Sequence, residues 1–164
     1  MRRALVVMAL IVTAFPGDLT AAPPEAGILI PGRSLGGVRL GWTLRQVEDV
    51  WGTTHGRCRG CAAETRYFNR VAFRPEGAAV TLRGDRLTAV FTLWAPAAWH
   101  TDRGLYVGEP EHRVRATYGA TRRVACRGYD GLVLRAGPAR TVVYVVDGEV
   151  WGFGLLGAKE PVCR

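Results

Sequence analysis

Lysine is all but missing from this sequence. Lys159 is the only one, so the positive charge rests on arginine, and the net charge is +8. With abundant glycine and alanine, this looks like a GC-rich coding bias, which explains arginine over lysine but not the sign of the charge. Serine is equally scarce, Ser34 being the only one, and histidine is limited to His55, His100 and His112. No two histidines stand four apart on one helix, which excludes the zincin arrangement. No run of consecutive basic residues marks a stripe that could track phosphates, so nucleic acid is not expected as a partner. After the first fifteen residues no apolar run is long enough to span a membrane. No cysteine follows that first run, which argues against a lipid-anchored lipoprotein.

What stands at the start is an export signal. Arg2 and Arg3 precede an apolar stretch from Ala4 to Phe15, and Pro16-Gly17 then breaks any helix. Leu19-Thr20-Ala21 or Thr20-Ala21-Ala22 offers a cleavage site. About a dozen apolar residues fall short of the roughly 20 a spanning helix needs. Residues 1–22 are therefore expected to be a cleaved signal peptide, and the mature protein to be secreted or to reside in the cell envelope. Cleavage removes Arg2, Arg3 and Asp18 and leaves a strongly basic chain, which would be drawn to anionic envelope polymers or acidic proteins.

The mature chain carries an internal repeat at one constant offset. Gly37, Gly41 and Gly52 recur as Gly104, Gly108 and Gly119; Val47 recurs as Val114, and Trp51 is matched by Tyr118. Each copy reads as a short helix. Thr43 and Gln46 form a capping box in the first, Pro110 is expected at the first helical position of the second, and Gly52 and Gly119 end them. Helices this short need a surface to pack on. About three strands follow each: 67–73, 78–83 and 87–94, then 132–135, 140–146 and 149–155. Gly84-Asp85 and Asp147-Gly148 supply hairpin turns. The expected fold class is α+β: two repeated units, 36–94 and 104–164, each a short helix packed on a three- to four-stranded antiparallel meander. Residues 23–35 form a lead-in with a short strand at 28–30, and 95–103 a linker.

A helix carrying Leu40-Gly41-Trp42-Thr43-Leu44-Arg45-Gln46-Val47 and followed by a meander, used twice, resembles the β-lactamase-inhibitor-protein-like modules. It is also similar to the single-copy outer-membrane assembly lipoproteins of the SmpA/OmlA kind. The resemblance implies a binding or assembly protein rather than an enzyme, an aromatic-rich sheet that grips a partner, and disulfides kept within each repeat. The chain departs from these families in having one clear helix per unit and shorter copies, so partner identity does not carry over.

The four cysteines allow three connectivities. In an exported chain the expectation is structural disulfides, and Cys58–Cys61 with Cys126–Cys163 places one in each unit. Two other readings of Cys58-Arg59-Gly60-Cys61 are a redox-active pair near Arg57, Arg59 and Arg66, and a zinc site recruiting His55. The redox pair is the alternative function, an exported thiol–disulfide protein. Gly32-Arg33-Ser34-Leu35-Gly36 fits G-x-S-x-G, but a nucleophile elbow needs a helix directly after the serine, and Gly36-Gly37 with a strand-like stretch follows. Asp102 is expected to pair with Arg103 rather than serve as a catalytic acid. No catalytic residue, metal or cofactor is expected. The candidate binding residues are Trp94, Trp99, His100, Arg103 and Trp151. Trp94 and Trp99, which flank a proline-containing loop, are expected to be the exposed anchors, and the partner a protein or an anionic cell-envelope polymer.

Overall fold

The computed structural model describes residues 26–68, 77–93, 98–134 and 138–164. The expected signal peptide, Trp94, linker residues 95–97, Arg135 and the 69–73 part of one expected strand lie outside the described residues.

Helix α1, Leu44–Trp51, starts as its sequence dictates. The Thr43 side chain accepts from the Gln46 N–H, and the Gln46 side chain accepts from the Thr43 N–H at 2.9 Å. Val47 and Trp51 form its buried stripe. Helix α2, His112–Tyr118, buries Val114. Gly52 and Gly119 end them with φ of 83° and 75°. Their ψ values of 167° and −146° are extended rather than left-handed helical, a region reached essentially by glycine alone. Pro110 is not at the first helical position. It precedes the Glu111 cap and bridges to Glu149, because residues 108–111 bond to the 148–150 backbone before the helix begins.

The strands after α1 are β3 (Gly56–Arg57), β4 (Glu64–Phe68), β5 (Gly77–Arg83) and β6 (Arg86–Leu93). Those after α2 are β8 (Arg122–Ala125), β9 (Asp130–Leu134), β10 (Arg140–Val146) and β11 (Glu149–Leu156). The two meanders do not form separate sheets. They fuse into one eight-stranded antiparallel sheet ordered β3-β4-β5-β6-β11-β10-β9-β8. The seam is the antiparallel pair β6–β11, with Phe91 opposite Gly154 and Leu93 opposite Gly152. The Phe153 N–H also donates to the Thr92 hydroxyl there at 3.0 Å. The expected turns are present: Gly84 joins β5 to β6, and Asp147 and Gly148 join β10 to β11 with φ of 50° and 82°. Each hairpin pairing shifts register at one place, between Thr81 and Leu82 where β5 faces β6 and between Tyr144 and Val145 where β10 faces β11.

A second sheet orders β2 (Ser34–Leu35), β1 (Gly27–Ile30) and β7 (Trp99–Thr101). β1 and β2 come from the lead-in and β7 from the linker, and β1 pairs parallel to β7 with Ile28 opposite His100. One face of the large sheet packs under this small sheet and the helices. Leu29, Leu35, Val47, Trp51, Trp99, Leu105 and Val114 meet Phe68, Val80, Val90, Leu132, Val143 and Phe153 there. The opposite face carries its own cluster around Ala89, Phe91, Val142, Tyr144, Leu156 and Val162. Among the described residues no helix is long and apolar enough to cross a membrane.

Candidate functional site

Alternation along β4, β5 and β6 decides which side chains face away from the helices. Register aligns Tyr67 with Ala79 and Ala79 with Phe91, Thr65 with Thr81, and Gly77 with Leu93. The middle strand therefore offers only small groups, Gly77, Ala79 and Thr81, between aromatic and aliphatic walls on its neighbours. The result is a groove of about 440 Å³ running along β5. The disulfide loop at Cys61, Ala62 and Ala63 bounds one side, and Glu160, Pro161, Cys163 and Arg164 the other.

The second bank is the segment 157–164, which covers the β9–β11 half of the same face. Val162 is buried in the cluster with Val142 and Tyr144, and the Tyr144 hydroxyl donates to its carbonyl at 2.9 Å. Burial raises the Tyr144 pKa well above the ordinary phenol value. The Tyr129 hydroxyl bonds Arg164, and Arg140 donates to the carbonyls of Gly157 and Glu160.

Glu160 fixes the charge at the rim. Its side chain is 2% exposed and meets Arg83 Nε at 2.6 Å and Arg164 Nη2 at 3.3 Å. Burial pushes its pKa up, but hydrogen bonds from Arg83 and Thr88 and the charges of Arg164 and Arg83 outweigh that and hold it below the ordinary glutamate range. The folded-state value lies below the unfolded one. The stabilisation is therefore present above the unfolded pKa and is lost as pH falls through the lowered one. Urea unfolding from pH 7 down to pH 3 is expected to show an acid loss that is smaller in Glu160→Gln; equal losses in both proteins would remove Glu160 as its source.

The four candidate residues that are described, Trp99, His100, Arg103 and Trp151, do not converge. Trp99 is fully buried rather than exposed: it packs edge-on against Trp51 at 6.4 Å, and its Nε1 has no partner among the described residues. Its strand pairs in parallel with β1, Gly27 opposite Trp99, and the indole joins the core cluster. His100 points the other way on β7 and stacks on Tyr106 at 4.7 Å. Arg103 lies over the Tyr118 ring at 5.1 Å and donates to the Thr117 carbonyl. The expected Asp102–Arg103 pair is absent among the described residues; Asp102 meets the Tyr118 hydroxyl at 3.5 Å instead. Trp151 is on the groove's side of the large sheet, half-buried against Tyr129. Thus Trp151 lies on one face and His100 and Arg103 on the other. Tyr67, Phe91, Leu93, Arg83 and Arg164 were missed as a group because only strand register brings them together.

Both expected disulfides, Cys58–Cys61 and Cys126–Cys163, are formed. The first lies in the loop between β3 and β4 rather than at a helix start, and its sulfurs are not available as zinc ligands. His55 instead meets Glu48 at 2.8 Å. No metal-holding cluster occurs among the described residues. Ser34 is buried in β2. His112 is exposed on α2.

Among solved structures, the chain is similar to an extracellular protein containing an SCP domain from Bacillus anthracis strain Ames. Identity is 7% and the TM-score 0.52, over 92% of this chain and 50% of that one. It is similar also to a cysteine-rich secretory protein from Staphylococcus aureus, at 11% identity and a TM-score of 0.52, over 85% of this chain and 48% of that one. The chain spans about half the length of the solved structures it matches, and at such identity the likeness is one of fold. No family model and no curated protein sequence matches.

Proposed function

We propose that this chain is an exported, non-enzymatic binding module. Its two halves are copies of one helix-plus-meander unit, and its open sheet face holds a protein partner or an anionic cell-envelope component. The observation that carries the reading is the groove along β5, walled by Tyr67 and Phe91 and edged by Arg83 and Arg164. Tyrosine, phenylalanine and arginine around a pocket are the composition of an interface anchor. Export is supported by the amino-terminal segment, by the two disulfides and by the names of the two similar solved proteins.

Equivalent backbone bonds support duplication. Gly41 and Gly108 donate to Leu87 and Val150 at 2.8 and 2.7 Å. Leu87 and Val150 in turn donate to Trp42 and Glu109, both at 2.8 Å. The resemblance to the inhibitor-like modules points the same way.

The test is retention of the mature protein on isolated cell envelopes of its source. Ala79→Phe fills the groove floor. It is expected to weaken retention about thirty-fold, the loss of a ~2 kcal/mol anchor, while His100→Ala and Arg103→Ala change it little. The reverse pattern would move the site to the helix side. Titration with a thiol-reactive dye under native conditions is expected to find no free thiol; an accessible thiolate at Cys58 would favour the thiol–disulfide alternative instead.

A further inference from the structure

The sheet face already holds one ligand of its own, the segment 157–164, and that segment shows what the face accepts. It supplies an apolar side chain, Val162, seated beside Gly131 and Val142; a Cβ added at Gly131 would come within 2.6 Å of it. It supplies a backbone carbonyl to a tyrosine hydroxyl, and a carboxylate, Glu160, to two arginines. The groove continues directly from this interface, sharing Glu160, Cys163 and Arg164 with it.

Its dimensions suit an extended chain. From Gly77 to Arg83 the trough follows six strand steps, about 20 Å at ~3.4 Å per residue. Its walls stand on strands about 9–10 Å apart, two inter-strand spacings. At the Arg83 end the arginine side chain is 56% exposed and spends its Nε on Glu160. The Arg164 guanidinium lies over the Phe91 ring at 5.1 Å. At that end two arginines outweigh the one Glu160 carboxylate they share, and the rest is apolar, apart from the Thr65 and Thr81 hydroxyls, which lie 3.4 Å apart on the floor.

Resting on the binding-module reading above, we infer that the groove receives an extended segment of a partner protein, laid along β5 beside residues 157–164. That segment places an aliphatic side chain over Ala79 between Tyr67 and Phe91, and a carboxylate at Arg83. An anionic polymer would call for a row of cations, whereas both arginines here converge on one end.

The test uses the oxidised mature protein and a display library of random pentapeptides. Selection is expected to enrich peptides that pair an acidic residue with an aliphatic one. Affinity for the enriched peptides, made synthetically, is expected to fall at least ten-fold in Ala79→Phe and in Arg83→Gln. Arg83→Lys should recover part of the loss, and His100→Ala should bind as the parent does. Thermal melts confirm that each variant is folded. Decanoate and a polyphosphate serve as competitor probes and are expected not to displace the peptide.

Three outcomes overturn the inference: no enrichment over Ala79→Phe, equal binding by parent and Ala79→Phe, or displacement by either competitor. If envelope retention still depends on Ala79 while no peptide is enriched, the occupant is wrong and the binding face stands. If retention ignores Ala79→Phe, the binding face itself falls.

Discussion

Trp99→Ala is expected to destabilise the protein by about 3–5 kcal/mol, the usual range for deleting a fully buried tryptophan. Against a total of about 5–15 kcal/mol for a domain, that removes about a fifth of the stability or more and lowers the melting temperature by on the order of 10 °C. The reason is position. Trp99 has no exposed surface and packs edge-on against Trp51, which in turn meets Phe68 at 5.3 Å and donates its Nε1–H to the Gly36 carbonyl at 2.8 Å. The indole thus joins the small sheet, α1 and the large sheet, and truncation leaves a cavity among all three. Melting and urea midpoints measure the effect. An unchanged midpoint with lost partner binding would mean that Trp99 acts as a surface anchor after all.

Replacing Cys126 and Cys163 together by serine is expected to cost about 4 kcal/mol, from the entropy of closing a loop of this length. The two cysteines are 37 residues apart in sequence. The same change at Cys58 and Cys61, only 3 apart, is expected to cost about 2 kcal/mol. The long crosslink also fastens residues 157–164, so its loss frees Val162 to leave Val142 and Tyr144. The variant is then expected to bind an apolar dye in its folded state, while the Cys58/Cys61 variant does not. Urea titration of both double variants checks the order; equal losses, or a larger one at Cys58/Cys61, would show that the long loop is held by packing rather than by its bond.

The legible parts of the fold were those with local chemical signatures. Thr43 and Gln46 announce α1 because a capping box needs those side chains three apart. Gly84-Asp85 and Asp147-Gly148 announce the hairpins because positive φ is required there. Disulfides were expected from the export signal, and their pairing from placing one in each unit. The edge strands β3 and β8 escaped notice because two and four largely exposed residues show no alternation. The pairing of β1 with β7 is parallel and joins residues some seventy positions apart, which no local pattern encodes. Trp99 was misjudged because a three-residue strand is too short for periodicity to tell inside from outside. The groove was hidden for a related reason. Gly77, Ala79 and Thr81 read as an unremarkable small-residue strand, and become a trough only when register places Tyr67 and Phe91 beside them. Residues 157–164 have no periodicity at all, so nothing in their order says which surface they cover.

The way the halves meet bears on behaviour at high concentration. Because β6 and β11 close on each other, the outermost strands of the large sheet among the described residues are β3 and β8. One rim is two residues long, and the other bears Arg122 and Arg123. Short, cationic rims are poor templates for adding another chain. Crowded copies should therefore resist stacking edge to edge into fibrils through this sheet.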